Sequence, residues 1–260
     1  MKIMAILNVT PDSFSDGGKY TDINTILKTV EDMVKNNVDI VDVGGESTRP
    51  GAEPVTLEEE INRVIPVIKA IHNNFPEIDI SVDTYKSKVA NLAVENGAKF
   101  INDISAMTFD EEMIKVVANN DVKVVLMHIL GTPKDMQNNP KYNDVINEVF
   151  NFLKVRVNFA IQNGVSEKNI IIDPGIGFGK LLEHNLLLLK NIKKLKELNL
   201  PVLIGLSRKS MFGKLLNLNV DERDIATIIT ETYCVLNGAD YIRTHNYINA
   251  VQMRKILENL

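Results

Sequence analysis

The chain has 260 residues, 45% of them hydrophobic and 24% charged, enough for one large core and of the size at which a single α/β barrel closes. A formal net charge of −5 argues against general nucleic-acid binding, which draws on a basic stripe. No run approaches the ~18 consecutive apolar residues of a membrane span. No Pro/Ser-rich linker, charge block or low-complexity tract divides the chain.

In chain order, Ile3–Leu7 is a β-rich apolar run that meets Asn8 and Pro11 without a small-residue cleavage pattern, so it predicts a first strand and not a signal peptide. Helical spacing follows at Ile23, Ile26, Leu27, Val30 and Val34. Further apolar runs are Val38–Val43, Ile78–Val82, Lys99–Ile104, Val122–Met127, Ile170–Ile172, Val202–Ile204 and Tyr241–Ile242. Most are separated by roughly 15–25 residues with helical spacing, the pattern of parallel strands covered by helices. Asn96-Gly97-Ala98, Asn163-Gly164-Val165 and Asn237-Gly238-Ala239 each close a helix before a strand, as stacked βα units would require. Pro66 interrupts the apparent helix Leu57–His72 and predicts a kink or break. The cluster Lys190, Lys193, Lys194 and Lys196 reads as a solvated helix face. Cys234, the sole cysteine, reads as a buried apolar residue; with no intrachain disulfide available, a reducing cytoplasm fits. Eight runs predict an α/β fold, a (β/α)8 TIM barrel forming one domain over residues 1–260, with an open doubly wound sheet as the alternative.

Each run ends in something polar. Asn8 follows the first, Asp42 with Glu46 and Arg49 the second, and Asp83 the third. Asn102 and Asp103, His128, and Asp173 end the next three. Ser207-Arg208-Lys209-Ser210 follows the seventh, and Arg243 with His245 the eighth. Barrel enzymes place their chemistry on the loops at strand C-termini. Asp83, Asn102 and Asp173 offer acceptor edges for a flat heterocycle with N–H donors. Arg49, Arg208, Lys209, Arg243 and His245 offer donors and positive charge for phosphate or another anion. Together they predict a heterocycle carrying phosphates. The long Gly- and Ser-rich segments 8–18 and 44–51 have the composition of lids.

Several motifs are excluded. The segment from Asp173 to Lys180 lacks GxGxxG spacing, and Leu181 and Pro174 rule out a phosphate-binding Walker A loop. His72, His128, His184 and His245 lack zinc spacing, and His72 and His184 read as surface residues on helices. A hard Mg²⁺ ion held partly by phosphate would leave little trace in sequence.

Taken in order, these blocks resemble the dihydropteroate synthases nearly end to end. They are 6–18, 42–51, Ser81-Val82-Asp83-Thr84, Ile101-Asn102-Asp103, Met127-His128 with Gly131-Thr132-Pro133, 173–180, 207–210 and Arg243-Thr244-His245. The resemblance implies condensation of a pterin diphosphate with p-aminobenzoate. It places Asp83, Asn102, Met127, Asp173, Phe178 and Lys209 at the pterin. It places Asn8, Arg49, Arg243 and His245 at the diphosphate, Asn8 through Mg²⁺, and Phe14, Thr48, Pro50 and Ser210 at p-aminobenzoate. Lys209, Arg243, His245, Asp83 and Asp173 would carry the catalysis, and a homodimer is implied, with neither nucleic acid nor membrane as partner. Departures are Ala106-Met107 where the family more often has glycines, Leu206 where Phe is common, and Asn246 where Asp follows the histidine. A methyltetrahydrofolate–corrinoid methyltransferase shares the barrel and acidic wall but would leave Arg49, Lys209, Arg243 and His245 unexplained. A catalytically dead binding barrel would leave the intact cationic wall unexplained.

Overall fold

The computed structural model describes residues 1–10 and 23–260. Its strands are β1 (Lys2–Asn8), β2 (Ile40–Gly44), β3 (Asp79–Asp83), β4 (Phe100–Asp103), β5 (Lys123–Met127), β6 (Ile170–Asp173), β7 (Leu203–Gly205) and β8 (Tyr241–Thr244). The helices between and after them are α1 (Ile23–Lys35), α2 (Leu57–Asn74), α3 (Ser87–Glu95), α4 (Met113–Asn120) and α5 (Val145–Gln162), then α6 (Leu182–Lys190), α7 (Ile192–Leu195), α8 (Ser210–Leu216), α9 (Asp224–Leu236) and α10 (Tyr247–Leu257). All pairings are parallel, in the order β6-β5-β4-β3-β2-β1-β8-β7. A bridge from Ile172 to Val202 joins β6 to β7 and closes the ring. The fold is a (β/α)8 barrel, and the open sheet is excluded.

Every predicted run is a strand, with ends shifted by a few residues. Val38 and Lys99 lie ahead of their strands, while β8 runs on to Thr244. The three Asn-Gly junctions behave as expected, with φ of +110° at Gly97, +95° at Gly164 and +105° at Gly238. Before β2, β5 and β7 the same left-handed turn falls to Asn37, Asp121 and Asn199, residues whose short polar side chains tolerate it. Pro66 does not break α2. Proline removes one amide, but this one is exposed, so water can satisfy the carbonyl a turn earlier while Val64, Val67, Ile68 and Ile71 bury the opposite side. Thr56 caps α2 by accepting from the Glu59 amide at 3.2 Å, and Asp144 caps α5 at 3.1 Å.

The principal core lies between barrel and helices, with Ile26, Ile68, Ile101, Leu126 and Leu153 fully buried. Each such side chain contributes roughly 1.5–3 kcal/mol on leaving water. Inside the barrel, Met4, Ile40, Phe100, Val125, Ile171 and Leu203 form an apolar layer with Tyr241. Side chains alternate faces along a strand, so the next inward position lies two residues on. Those residues are Ile6, Asp42, Asn102, Met127, Asp173, Gly205 and Arg243. The apolar floor therefore gives way to a polar mouth at the strand C-termini. At the opposite end, Lys2 pairs with Asp39 and Lys196 with Asp240.

Candidate active site

Arg243 stands at the centre of the mouth. Its Nε donates to Asp42 Oδ2 and one Nη to Asp83 Oδ2, each at 2.6 Å. Asn102 Nδ2 donates to the same Asp42 oxygen at 3.1 Å. Asp42 Oδ1, Ser81 Oγ and Asp83 Oδ1 are buried with no hydrogen-bond partner among the described residues. One guanidinium thus serves two buried carboxylates. Burial and the neighbouring Asp42 hold the Asp83 carboxyl above the ordinary carboxylate range, against the opposing pull of Arg243. The unmet acceptors are what a donor-rich ligand edge requires.

Asp173 Oδ1 accepts from the Gly175 amide at 2.7 Å, and burial lifts this carboxyl to about 6. Gly175 has φ +65°, and a Cβ there would lie 1.9 Å from the His128 carbonyl oxygen, so the close return of the β6–α6 loop requires glycine. Lys209 lays its ammonium over the Phe178 ring, 4.1 Å from the centroid. Burial lowers it to about 8, with Asp173 opposing. Met127, Ile104, Ile129 and Met136 make an apolar wall with Tyr85 and Phe178. His245 shares a 2.9 Å contact through Nδ1 with Ser207 Oγ. Burial, then the fields of Arg243, Arg208 and Arg49, lower it to about 4.

The structure therefore brings Asp83, Asn102, Met127, Asp173, Phe178, Lys209, Arg243 and His245 to one mouth. Asn8 ends β1, its Oδ1 and the Asp83 carboxylate lying on either side of Gly44. Thr48 is half-buried, while Arg49, Pro50 and Ser210 are exposed on the surrounding loops. Phe14, and the proposed lid over 8–18 beyond Thr10, fall outside the described residues.

Other strand-end residues turn away from the mouth. Arg208 is spent on Asp224 through Nε at 2.8 Å and an Nη at 3.0 Å. His128 is buried against Lys180, with Nζ to Nδ1 at 2.8 Å, and burial drives it down to about 2. Glu46 is held by Lys86 and Tyr85. Asp103 accepts from the Ser105 amide, the Ser105 hydroxyl and the Met107 amide. His72 is exposed as expected; His184 is half-buried, its ring centroid 4.9 Å from that of Tyr142 in an edge-on contact. Asn246 caps α10 by accepting from the Asn249 amide at 3.1 Å and also donates to Asp224 at 3.0 Å.

Two contributors were named in the sequence but given no role there. Asp42 had a signal, a lone carboxylate inside the run Ile40-Val41-Asp42-Val43, which demands a buried partner. Lys180 had less: its Nζ reaches the carbonyls of Gly175 and Phe178, both at 2.9 Å, and so ties down the glycine-rich loop.

A closed parallel barrel with acceptor-rich and cationic groups facing each other at its C-terminal mouth is a barrel enzyme built for a small, partly anionic ligand. A family model described as pterin binding enzyme matches residues 4–245. Over 257 residues the chain is 48% identical to the dihydropteroate synthase of Clostridium beijerinckii, covering 98% of this chain and 93% of that one. A Yersinia pestis dihydropteroate synthase in a sulfonamide drug complex superimposes with TM-score 0.93 at 38% identity, covering 99% of this chain and 93% of that one. The Xanthomonas albilineans dihydropteroate synthase with 4-aminobenzoic acid gives 0.91 at 38% identity, covering 100% and 93%. The chain belongs to the pterin-binding enzyme family, among the dihydropteroate synthases.

Proposed function

We propose that the chain condenses 6-hydroxymethyl-7,8-dihydropterin diphosphate with p-aminobenzoate, giving 7,8-dihydropteroate and diphosphate. The observation that carries the reading is the single mouth in which unmet carboxylate acceptors face Lys209, Arg243 and His245. Asp83, Asn102, Asp173 and Lys209 bind the pterin, with Met127 and Phe178 against its faces. Arg49, Arg243 and His245 bind the diphosphate. Thr48, Pro50, Ser210 and Phe14 shape the p-aminobenzoate pocket. The bond from the methylene carbon to the diphosphate oxygen breaks as the pterin delocalises the developing cation. Asp83 and Asp173 stabilise that cation, and the cationic groups stabilise the leaving anion. The aniline nitrogen then bonds to the carbon and loses a proton.

Asn8 would hold Mg²⁺. Its amide oxygen is a hard donor of the right kind, and no cluster of three or more His, Cys, Asp or Glu suited to a metal occurs among the described residues. The ion would take its other ligands from diphosphate and water. When bound, it neutralises charge on the leaving group.

A homodimer is supported by α9, which exposes Ile225, Ile229, Tyr233 and Leu236 along one flank. No helix of the described residues is long and apolar enough to cross a membrane. A cytoplasmic setting rests on the single cysteine, buried and held as a thiol up to about 12 by burial.

Incubation with the pterin diphosphate, p-aminobenzoate and Mg²⁺ should release dihydropteroate and diphosphate in equal amounts. Pterin binding by calorimetry without product would replace this reading with the corrinoid methyltransferase or an inactive binding barrel.

A further inference from the structure

The β2–α2 loop leaves the barrel through a firmly seated base. Gly45 packs so closely on α2 that a Cβ would lie 2.6 Å from Val64 Cγ2, and Arg63 donates to the Gly45 carbonyl at 2.8 Å. The next residue, Glu46, is buried. From Ser47 to Gly51 the chain is mostly exposed, Thr48 alone being half-buried, and it carries Arg49 and Pro50.

The Glu46 carboxylate joins the two feet of this loop. Oε2 accepts from the Val55 amide, nine positions on, at 3.3 Å, and from Lys86 Nζ. Oε1 accepts from the Tyr85 hydroxyl at 2.6 Å. Lys86 also reaches the buried Glu60 of α2 at 2.5 Å. Tyr85 and Lys86 directly follow Thr84 and Asp83, so the loop is tied to the segment leaving the carboxylate wall. At the tip, Gly51 donates to the Pro133 carbonyl at 2.9 Å, and the exposed Lys134–Glu53 pair adds a contact at 3.0 Å. Exposed pairs contribute little, so the buried base sets the loop's position.

We propose that Glu46 is the positioning residue of the β2–α2 loop, its carboxylate joining Val55, Tyr85 and Lys86 so that Thr48, Arg49 and Pro50 stand over the barrel mouth. The inference rests on the function proposed above. The acidic group does not touch substrate; it closes the loop's feet and fixes where the second substrate and the diphosphate meet protein.

The test is Glu46→Gln, which keeps shape and one acceptor but removes the charge that the Lys86 ammonium, the Tyr85 phenol and the Val55 amide address. Loss of a charged hydrogen-bond hub predicts about a tenfold rise in KM for p-aminobenzoate. Affinity for 6-hydroxymethyl-7,8-dihydropterin lacking diphosphate should stay within about twofold, since Asp83, Asn102 and Asp173 are untouched. Amide exchange across 47–53 should speed up, and Lys86→Arg, which keeps both ion pairs, should behave like wild type. Unchanged KM and exchange in a wild-type-active protein would overturn the proposal and leave the function standing. An equal fall in pterin affinity would also overturn it, as a general structural defect. If wild type makes no product, the exchange readout alone judges the loop, and faster exchange in Glu46→Gln sustains the positioning role.

Discussion

Burial lifts the Asp173 carboxyl to about 6, and the Gly175 amide, Lys209, Lys180 and Arg243 offset only part of that push. A raised folded pKa means the folded state holds its proton over a pH range in which the unfolded chain has lost it. Stability from this group therefore falls as pH rises from about 4 through 6. Asp173→Asn retains an acceptor for the Gly175 amide and carries no charge. At pH 8 it should be more stable than wild type by about 1–3 kcal/mol and so unfold at a higher temperature, with the gap closing towards pH 4. Lys209 loses counter-charge in that variant and takes back part of the gain. Pterin affinity should meanwhile drop by about 1–3 kcal/mol or more, because the ligand's N–H edge loses an ionised acceptor. Thermal scans across pH, paired with calorimetry, check both halves; a variant less stable than wild type at pH 8 refutes the account. His245 gives a second test. Burial and the fields of Arg243, Arg208 and Arg49 hold it at about 4, so it is neutral near pH 6. Bound diphosphate reverses that field and raises its pKa, so binding should take up protons. Calorimetry in buffers of different ionisation enthalpy should detect the uptake, and His245→Gln should remove it.

Among the elements, the turn after β4 shows how local preference yields to its surroundings. Ala106 and Met107 adopt φ of +51° and +65°, a region disfavoured for residues with a Cβ. Asp103 holds the turn from inside, and Arg156 of α5 donates to the carbonyls of Ala106 at 2.7 Å and Met107 at 3.1 Å. Glycine at 106 would relieve about 1 kcal/mol of strain and lose one methyl and some chain entropy, a near balance. Ala106→Gly should therefore lie within about 1 kcal/mol of wild type. Met107→Gly gains the same relief but empties a buried side chain, so it should cost about 1–3 kcal/mol. Denaturant titration distinguishes them, and equal effects would mean that backbone strain does not govern this turn. Pro66 teaches the same lesson in α2, where an exposed proline leaves the helix intact because one face is anchored in the core.

For the whole molecule, the flank of α9 bearing Ile225, Ile229, Tyr233 and Leu236 predicts self-association. Ile225→Asp with Ile229→Asp should convert a dimer to a monomer in sedimentation velocity while leaving the barrel's circular dichroism unchanged. A wild-type monomer at micromolar concentration would remove the dimer.

The sequence by itself determined the alternation of apolar strands and amphipathic helices, the Asn-Gly turns between them, and which residues end each strand. These are local properties, written in periodicity and in the conformational range of glycine. Asp83, Asn102, Asp173, Lys209, Arg243 and His245 were legible because strand ends in a barrel share one face. Only tertiary structure decided which of the polar ends look inward. His128, Arg208 and Asp103 have the same standing in the sequence, yet Lys180, Asp224 and the 103–107 turn claim them. The partnership of Asp42 with Arg243 spans 201 positions, and Glu46 meets Lys86 across 40. Such meetings depend on how the closed, tilted sheet brings distant strand ends together, a geometry that no local spacing encodes.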